Sequence, residues 1–276
     1  LIAVRGRGGR PASDHRRVLD AVFWIARTGS PWRDSPEEFG KWSSVYRQFR
    51  RWTLAGVWEL VLSALNDSGA SPGQVQMIDS TVIRAITWQL AQKGDSEQGF
   101  GRSKGGFTTK IHLIANAHGL PVRAEISGGE VSDFKGFDAL VDDDLPGARV
   151  FIADRGYDSD HIRSVIARRG GTPVIPGRAN RKEPILVDGI TYALRNRVER
   201  CFNKLKCSRR LATRYDKTAD SCLGFIHIEP HALGQEFVNM TSEYEDKLPS
   251  IINMDGRLGT NEISAIFPEN RRAFDY

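Results

Sequence analysis

The chain has 276 residues, 40% hydrophobic and 26% charged, a globular composition long enough for one large or two medium cores. No run approaches the roughly 18 apolar residues of a membrane span, and no secretory signal is visible. Cys201, Cys207 and Cys222 are odd in number and lack a paired C-x-x-C, which argues against a disulfide framework or a zinc knuckle and for a reducing cytoplasm.

The net charge of +5 hints at a polyanionic partner, and its distribution says more. Residues 229–276 carry nine acids against four basic residues, so the basic excess belongs to the body and the end is an acidic, weakly periodic tail.

Residues 1–12 place Arg5, Arg7 and Arg10 among glycines, a basic arm that serves equally as a solvated linker or a nucleic-acid contact. Ser13 is an N-cap candidate for a first helix, in which Val18, Leu19, Val22, Phe23 and Ala26 recur at helical spacing until Gly29 and Pro31. A second helix puts Val45, Phe49 and Trp52 on one side with Arg47, Arg50 and Arg51 clustered alongside. A third runs from Val57 to Leu65. Residues 1–66 therefore read as a small helical domain, with the composition either of a helix-turn-helix DNA reader or of a bundle with an arginine-rich surface. Its tryptophans serve as core and staple residues on this reading.

After a polar linker at 66–73 the grammar changes to strands. Val75–Thr81, Thr108–His118 and Pro121–Ser127 predict a three-strand antiparallel meander, with a turn at His118-Gly119. Phe134–Val141 is a short helix, Val150–Ala153 a buried strand, Ser159–Arg169 a helix and Thr172–Ile175 a further strand. A polar loop over 177–189 leads to a last helix. Three strands, then helix, strand, helix, strand, helix is a mixed α/β order, the order of the ribonuclease-H-like fold. The stretch GFGRSKGG at 99–106 lacks the Gly-Lys-Ser/Thr ending of a phosphate loop, so a nucleotide-binding reading is rejected.

Asp79 and Asp154 follow apolar runs and stand at the ends of predicted central strands, where side chains leave the packed layer but stay held by it. Singly, each reads as a turn or cap residue. The last segment, 190–210, reads as one helix with three faces at about 100° per residue. Leu194, Val198, Phe202 and Leu205 form its apolar band, and Arg197, Arg200 and Lys204 a basic face. Tyr192, Arg195, Glu199 and Lys206 share a stripe between them. By itself Glu199 is a surface acid steadied by Arg195 one turn away. Together with Asp79 and Asp154 it makes three carboxylates beside cations, a set suited to phosphodiester chemistry with two divalent ions about 3.5 to 4 Å apart. Hard oxygen ligands in small number suit magnesium.

These residues carry a resemblance. Tyr192, Arg195, Glu199 and Lys206 match the Y-x2-R-x3-E-x6-K signature of the DDE transposases of bacterial insertion sequences, particularly insertion sequence family five and its relatives. IDST around Asp79, IADRGYDS around Asp154 and the GSPWRDSPEEFGKWSSVYRQFRRW stretch of the helical domain resemble the same family, and the resemblance spans about residues 10–228.

It implies a ribonuclease-H-like catalytic domain over 74–228 that nicks element ends and joins a 3′-hydroxyl to target DNA. Asp79, Asp154 and Glu199 would be the catalytic, metal-binding triad, for two Mg²⁺ ions that Mn²⁺ could replace. Tyr192, Arg195 and Lys206 would place DNA and phosphate, and Arg47, Arg50, Arg51, Arg197, Arg200 and Lys204 would contact double-stranded DNA, both terminal inverted repeats and target. A homodimer or synaptic oligomer acting at the bacterial nucleoid is implied as well.

The chain departs from the family pattern at its opening Leu1-Ile2, over Ala85–Gln98, and after GFIHI, where Glu229-Pro230 and the acidic tail replace an apolar helix. Those junctions suggest a truncated or frameshifted copy, so a remnant that binds element ends without cutting them stands as the alternative function. A ribonuclease-H-like nuclease of another kind stands as the third.

Overall fold

The computed structural model describes residues 14–68, 75–86 and 98–232. The basic arm, Ser13, most of the 66–73 linker, most of 85–98 and the tail beyond 232 lie outside the described residues. The chain divides into two compact units. One contains the described residues up to Ile25 and Ser30–Val57, and the other Ala26–Gly29 and Trp58–Pro230.

In the first unit, α1 (His15–Thr28) buries Val18, Ala21, Val22 and Ile25. Asp14 caps it, its Oδ1 accepting from the Arg16 N–H at 3.0 Å. Helix α2 (Trp42–Leu54) buries Val45, Phe49 and Trp52 as the periodicity predicts. Between the two helices the Trp32 ring packs 5.3 Å from Tyr46 and 5.2 Å from Phe49, the staple role expected of it.

The second unit holds α3 (Val57–Ser68) and a seven-stranded sheet. Its strands are β1 (Val75–Ala85), β2 (Gly101–Ser103), β3 (Gly106–Asn116), β4 (Pro121–Gly128), β5 (Val150–Ile152), β6 (Thr172–Val174) and β7 (Thr213–Arg214). The order across the middle is β4-β3-β1-β5-β6, with β2 beside the start of β3 and β7 beside the end of β1. β1, β3 and β4 are the antiparallel meander, while β5 and β6 run parallel to β1. This is the ribonuclease-H-like arrangement that the element order predicts. Buried Asn66 ties helix α3 to it, donating to the Pro121 carbonyl at 2.7 Å and accepting from Asn116 at 3.0 Å.

Helices α4 (Asp133–Leu140) and α5 (Asp160–Arg168) cover one sheet face over a core that includes Ile78, Ile114, Phe137, Phe151 and Ile162. Side chains alternate along a strand, so Asp79 and Thr81 leave β1 on the face opposite Ile78. There α7 (Asn196–Leu205), which follows α6 (Gly189–Ala193), crosses the sheet, with Val198, Phe202 and Leu205 buried beneath it. After α8 (Arg209–Ala212) the chain ends its described part in α9 (Ala219–Ala232).

Four features differ from the sequence expectation. β1 runs on to Ala85 because β7 supplies a partner for Arg84 and Ala85. The glycine-rich stretch at 99–106 is a hairpin, its turn allowed by Gly106 at φ 96°. The segment 190–210 is not one uniform helix. Leu194, Arg195, Arg197 and Val198 donate to carbonyls three residues back, a tightened turn that divides α6 from α7. Finally, α9 continues through Glu229 and Pro230 where a tail was expected.

Candidate active site

The parallel pairing of β1 with β5 builds the site. Met77 pairs with Ile152, the last register pair between these strands, and each chain then carries an aspartate two residues further on. Asp79 and Asp154 are thus side by side by register, at the level where β5 stops and β1 continues. Asp79 is not at a strand end, as expected, but beside the end of its neighbour, which opens the same gap in the sheet.

Asp154 is also the cap of the short turn Arg155–Tyr157, its Oδ1 accepting from the Gly156 N–H at 2.8 Å. The loop behind it is clamped through buried Asp158, whose carboxylate accepts from Arg163, Arg181 and the Arg178 N–H. Arg178 in turn donates to the Arg155 and Gly156 carbonyls.

Burial raises the Asp79 carboxyl above the ordinary carboxylate range. The Ser80 N–H and Arg195 work against that rise, and Asp154 adds to it. The Asp154 charge is therefore felt at Asp79.

From the helix side, Arg195 Nη1 donates to Asp79 Oδ2 at 2.7 Å, and its Nη2 donates to Glu199 Oε1. The i, i+4 pair read from the sequence exists, and it extends to the first aspartate. Lys206 Nζ donates to Thr81 Oγ1 at 2.6 Å, so it anchors α7 to β1. Tyr192 lies within electrostatic range of Arg195.

The structure therefore joins Asp79, Arg195 and Glu199 in one chain of contacts with Asp154 beside it. It does not bring Glu199 onto the two aspartates: among the described residues, no three of His, Cys, Asp and Glu stand close enough to hold one metal ion. Glu199 is exposed, as are Arg197, Arg200 and Lys204, although Arg197 is engaged with the Ala117 carbonyl. Arg47 and Arg51 are exposed on α2 and bonded locally to the Ser43 carbonyl and to Gln48. Arg50, on the same helix, is half-buried.

Two residues escaped the sequence reading. Asp133 begins α4, and its Oδ1 accepts from Ser80 Oγ at 2.6 Å and from Lys110 Nζ at 3.1 Å. Tyr157 is 1% exposed, and its hydroxyl lies against the Ser80 side chain. Burial raises the Tyr157 pKa far above its usual value, with Asp133, Asp79 and Asp154 adding to the rise. The signal for Asp133 is its contact with Ser80 and Lys110, on two different strands, and that needs the third dimension.

The oxygens present fit a hard divalent cation. Asp79 and Asp154 face each other at fixed register, and Asp154 Oδ2 has no hydrogen-bond partner among the described residues. A Cβ built on Gly156 would stand 2.9 Å from Asp154 Oδ1, so the absence of a side chain there keeps the carboxylate's surroundings open.

Residues 1–62 match the family described as "Putative transposase of IS4/5 family", and residues 70–223 match the family described as "Transposase DDE domain". The chain is 37% identical over 122 residues to a Brucella ovis protein described as "Putative transposase for insertion sequence element IS6501", across 44% of this chain and 93% of that one. It is 33% identical over 130 residues to a Burkholderia cepacia protein described as "Putative transposase for insertion sequence element IS402", across 44% of this chain and 59% of that one. Among solved structures it is similar to piggyBac transposase in a synaptic complex with hairpin DNA, with a TM-score of 0.46 and 11% identity over 83% of this chain and 65% of that chain. No helix among the described residues is long and apolar enough to cross a membrane. With the DDE match alone covering more than half of its length, the chain belongs to the DDE transposases, a family of metal-dependent enzymes that cut and join DNA strands.

Proposed function

We propose that this chain moves an insertion sequence by cutting DNA at the element's ends and joining the freed 3′-hydroxyl to target DNA, with Mg²⁺ as its ion. The observation that carries the reading is the register of β1 against β5, which sets Asp79 and Asp154 side by side at an opening in the sheet. Asp79 and Asp154 would hold the ion, and Glu199 would join them when Arg195 gives up one of its two carboxylates.

A pair of divalent ions supplies activation of the attacking oxygen and neutralises charge on the leaving one. The chain's own residues do the rest. Arg195, released from Glu199 or Asp79, offers a planar donor pair to a phosphate. Lys206 keeps α7 on β1 through Thr81, so that Arg195 and Glu199 approach from a fixed direction. Tyr192, beside Arg195, orients that guanidinium. The exposed Arg197, Arg200 and Lys204, and Arg47, Arg50 and Arg51 on α2, would take the sequence-independent contacts to the duplex backbone.

The test is cleavage of DNA carrying the element's own terminal repeats in Mg²⁺. Asp79→Asn and Asp154→Asn should each lower cutting by about a thousandfold or more, as loss of a group acting on the reacting phosphate does, while a gel shift keeps its wild-type midpoint. Unimpaired cutting by either variant overturns the assignment. Salt-sensitive binding by a wild-type chain that never cuts would favour the inactive end-binding remnant.

A further inference from the structure

The opening beside Asp79 runs on well past the two aspartates. β5 pairs with β1 as far as Met77, and β7 takes up the same edge of β1 only at Arg84. Between them, residues 78–83 have a strand neighbour on the β3 side alone among the described residues. The Ile86 N–H donates to the Arg214 carbonyl of β7 at 3.3 Å, so by the alternation of a strand Ser80 and Val82 turn their backbone groups to that same edge. The Ser80 N–H is taken by Asp79 Oδ1 at 2.8 Å. The Val82 N–H has no partner among the described residues.

Side chains alternate as well. Ser80, Val82 and Arg84 leave β1 on the face that α4 covers, but α4 begins at Asp133, over Ser80. Past that point Val82 is 42% exposed, and Arg84 is exposed too. Arg84 has no ion pair or side-chain hydrogen bond among the described residues, whereas Arg123, Arg163, Arg181, Arg195 and Arg210 of the same unit each hold a carboxylate. An acid on this face, Glu130, lies over Gly101 of β2, two strands from Arg84 and about 10 Å across the sheet, and is not paired with it. The Arg84 backbone is fixed from both sides, by Thr108 of β3 and Thr213 of β7. A cation with an immobile base and an unmatched head suits an anion that comes from outside the protein, and a DNA phosphate is such an anion.

We propose that Arg84 is a positioning residue for the DNA. It holds a backbone phosphate about five nucleotides from the one being cut, and the strand between them follows the open edge of β1 from Asp79 towards β7, with the Val82 N–H as a donor on the way. The count comes from the register. Arg84 is five residues beyond Asp79, about 17 Å at roughly 3.3 Å per residue, and one DNA strand advances about 3.4 Å per nucleotide. The proposal rests on the reading of Asp79 and Asp154 as the pair that holds the ion at the cut.

The experiment is ethylation interference with the intact chain. DNA carrying the element's terminal repeat, ethylated at one phosphate per molecule, is sorted into bound and free, so binding is read rather than cutting, and the element's terminal phosphate marks the cut. Ethylation about three to seven nucleotides from that phosphate should exclude DNA from the wild-type complex. Arg84→Ala should lose this exclusion and keep it elsewhere in the repeat, and Arg84→Lys, which retains the charge, should show the wild-type pattern. The slope of log Kd against log salt should become shallower by about 0.9 in Arg84→Ala, as for one lost phosphate contact, and stay unchanged in Arg84→Lys. A purely structural Arg84 would weaken every contact evenly and leave the interference pattern as in wild type, and that result overturns the proposal. Wild-type complexes without interference in that window overturn it as well. If Asp79→Asn leaves Mg²⁺-dependent cutting intact, the reading of the site itself falls, and the count from Asp79 loses its origin.

Discussion

Two sets of aspartates in the sheet unit are held in opposite ways. Asp158 and Asp216 are buried and matched by arginine. Asp158 receives Arg163 at 2.8 Å and Arg181 at 2.9 Å, and Asp216 receives Arg210 through two parallel bonds of 3.0 and 2.8 Å. Asp79 and Asp154 stand side by side at the end of β5, with one bonded cation between them among the described residues, Arg195 on Asp79. A carboxylate already neutralised by the protein has nothing left to offer a ligand. One held against another carboxylate keeps an unmet demand for positive charge, which the ion proposed for this site would meet. Asp154 and Asp158 are only four residues apart in the chain, so partners rather than position separate a functional acid from a structural one.

The comparison breaks most visibly at Asp158. Burial would raise its pKa, but the Arg178 N–H, Arg163 and Arg181 outweigh burial and hold it below the ordinary value. A depressed folded pKa means a contribution that is present at neutral pH and lost as pH falls through that folded value. Asp158→Ala should therefore lower unfolding free energy at pH 7 by about 3–5 kcal/mol, the cost of breaking a buried pair on one side. The deficit, measured by denaturant melts, should shrink in strong acid. A deficit under about 1 kcal/mol would mean that the clamp behind the Asp154 loop is unimportant.

Glu229 sharpens the contrast as a third kind of acid, buried with no bonded cation among the described residues. It is 3% exposed on α9, accepts from Ser208 Oγ and leaves Oε2 without a partner among the described residues. Burial pushes its pKa up to about 7. Here the sign is reversed. Above the unfolded pKa the unfolded chain gives up a proton that the folded chain keeps, so stability falls as pH rises from about 4.5 to about 7 and is flat beyond. Glu229→Gln should remove that slope and be more stable than wild type at pH 8 by about 3 kcal/mol, with the gain vanishing near pH 4. Equal stability at both pH values would show that Glu229 is not held neutral. The sequence placed this residue at the junction where an apolar helix gives way, and a buried acid inside a helix is the physical form of that misfit.

What was legible in the sequence follows the apolar runs. The meander, β5, α5 and β6 are each a short buried stretch bounded by polar residues, and the packed face of α7 is a strong helical period. The partners of a polar side chain are not periodic, and this is where reading failed. The tightened turn at Leu194 and Arg195 leaves the hydrophobic period unbroken, so nothing in the spacing reveals it. Arg214, a charged residue with no periodic signal, is 1% exposed, with its guanidinium 3.7 Å from the centre of the Phe100 ring. Asp133 stands just before the helix that the sequence predicts from Phe134, where an acid is favoured anyway.

The finest test of the contrast is a single methyl group. Gly156 does not take the left-handed backbone conformation, so alanine there meets no backbone strain and differs only by its Cβ. That carbon would touch Asp154 Oδ1 and Asp133 Oδ2 at 2.9 and 3.0 Å, closer than carbon and oxygen normally rest. The two carboxylates would have to move by a few tenths of an ångström, enough to misplace anything held between them. Gly156→Ala should lower Mg²⁺-dependent cutting by about a hundredfold, the scale on which small misplacements act, with unfolding free energy within about 1–3 kcal/mol of wild type. Arg155 and Arg178 remain in place in this variant, so a loss of cutting cannot be charged to the clamp. Wild-type cutting by Gly156→Ala would show that the space between Asp133 and Asp154 is ordinary surface, and the distinction between acids that serve the fold and acids that serve the ion would have to be redrawn around Asp79 alone.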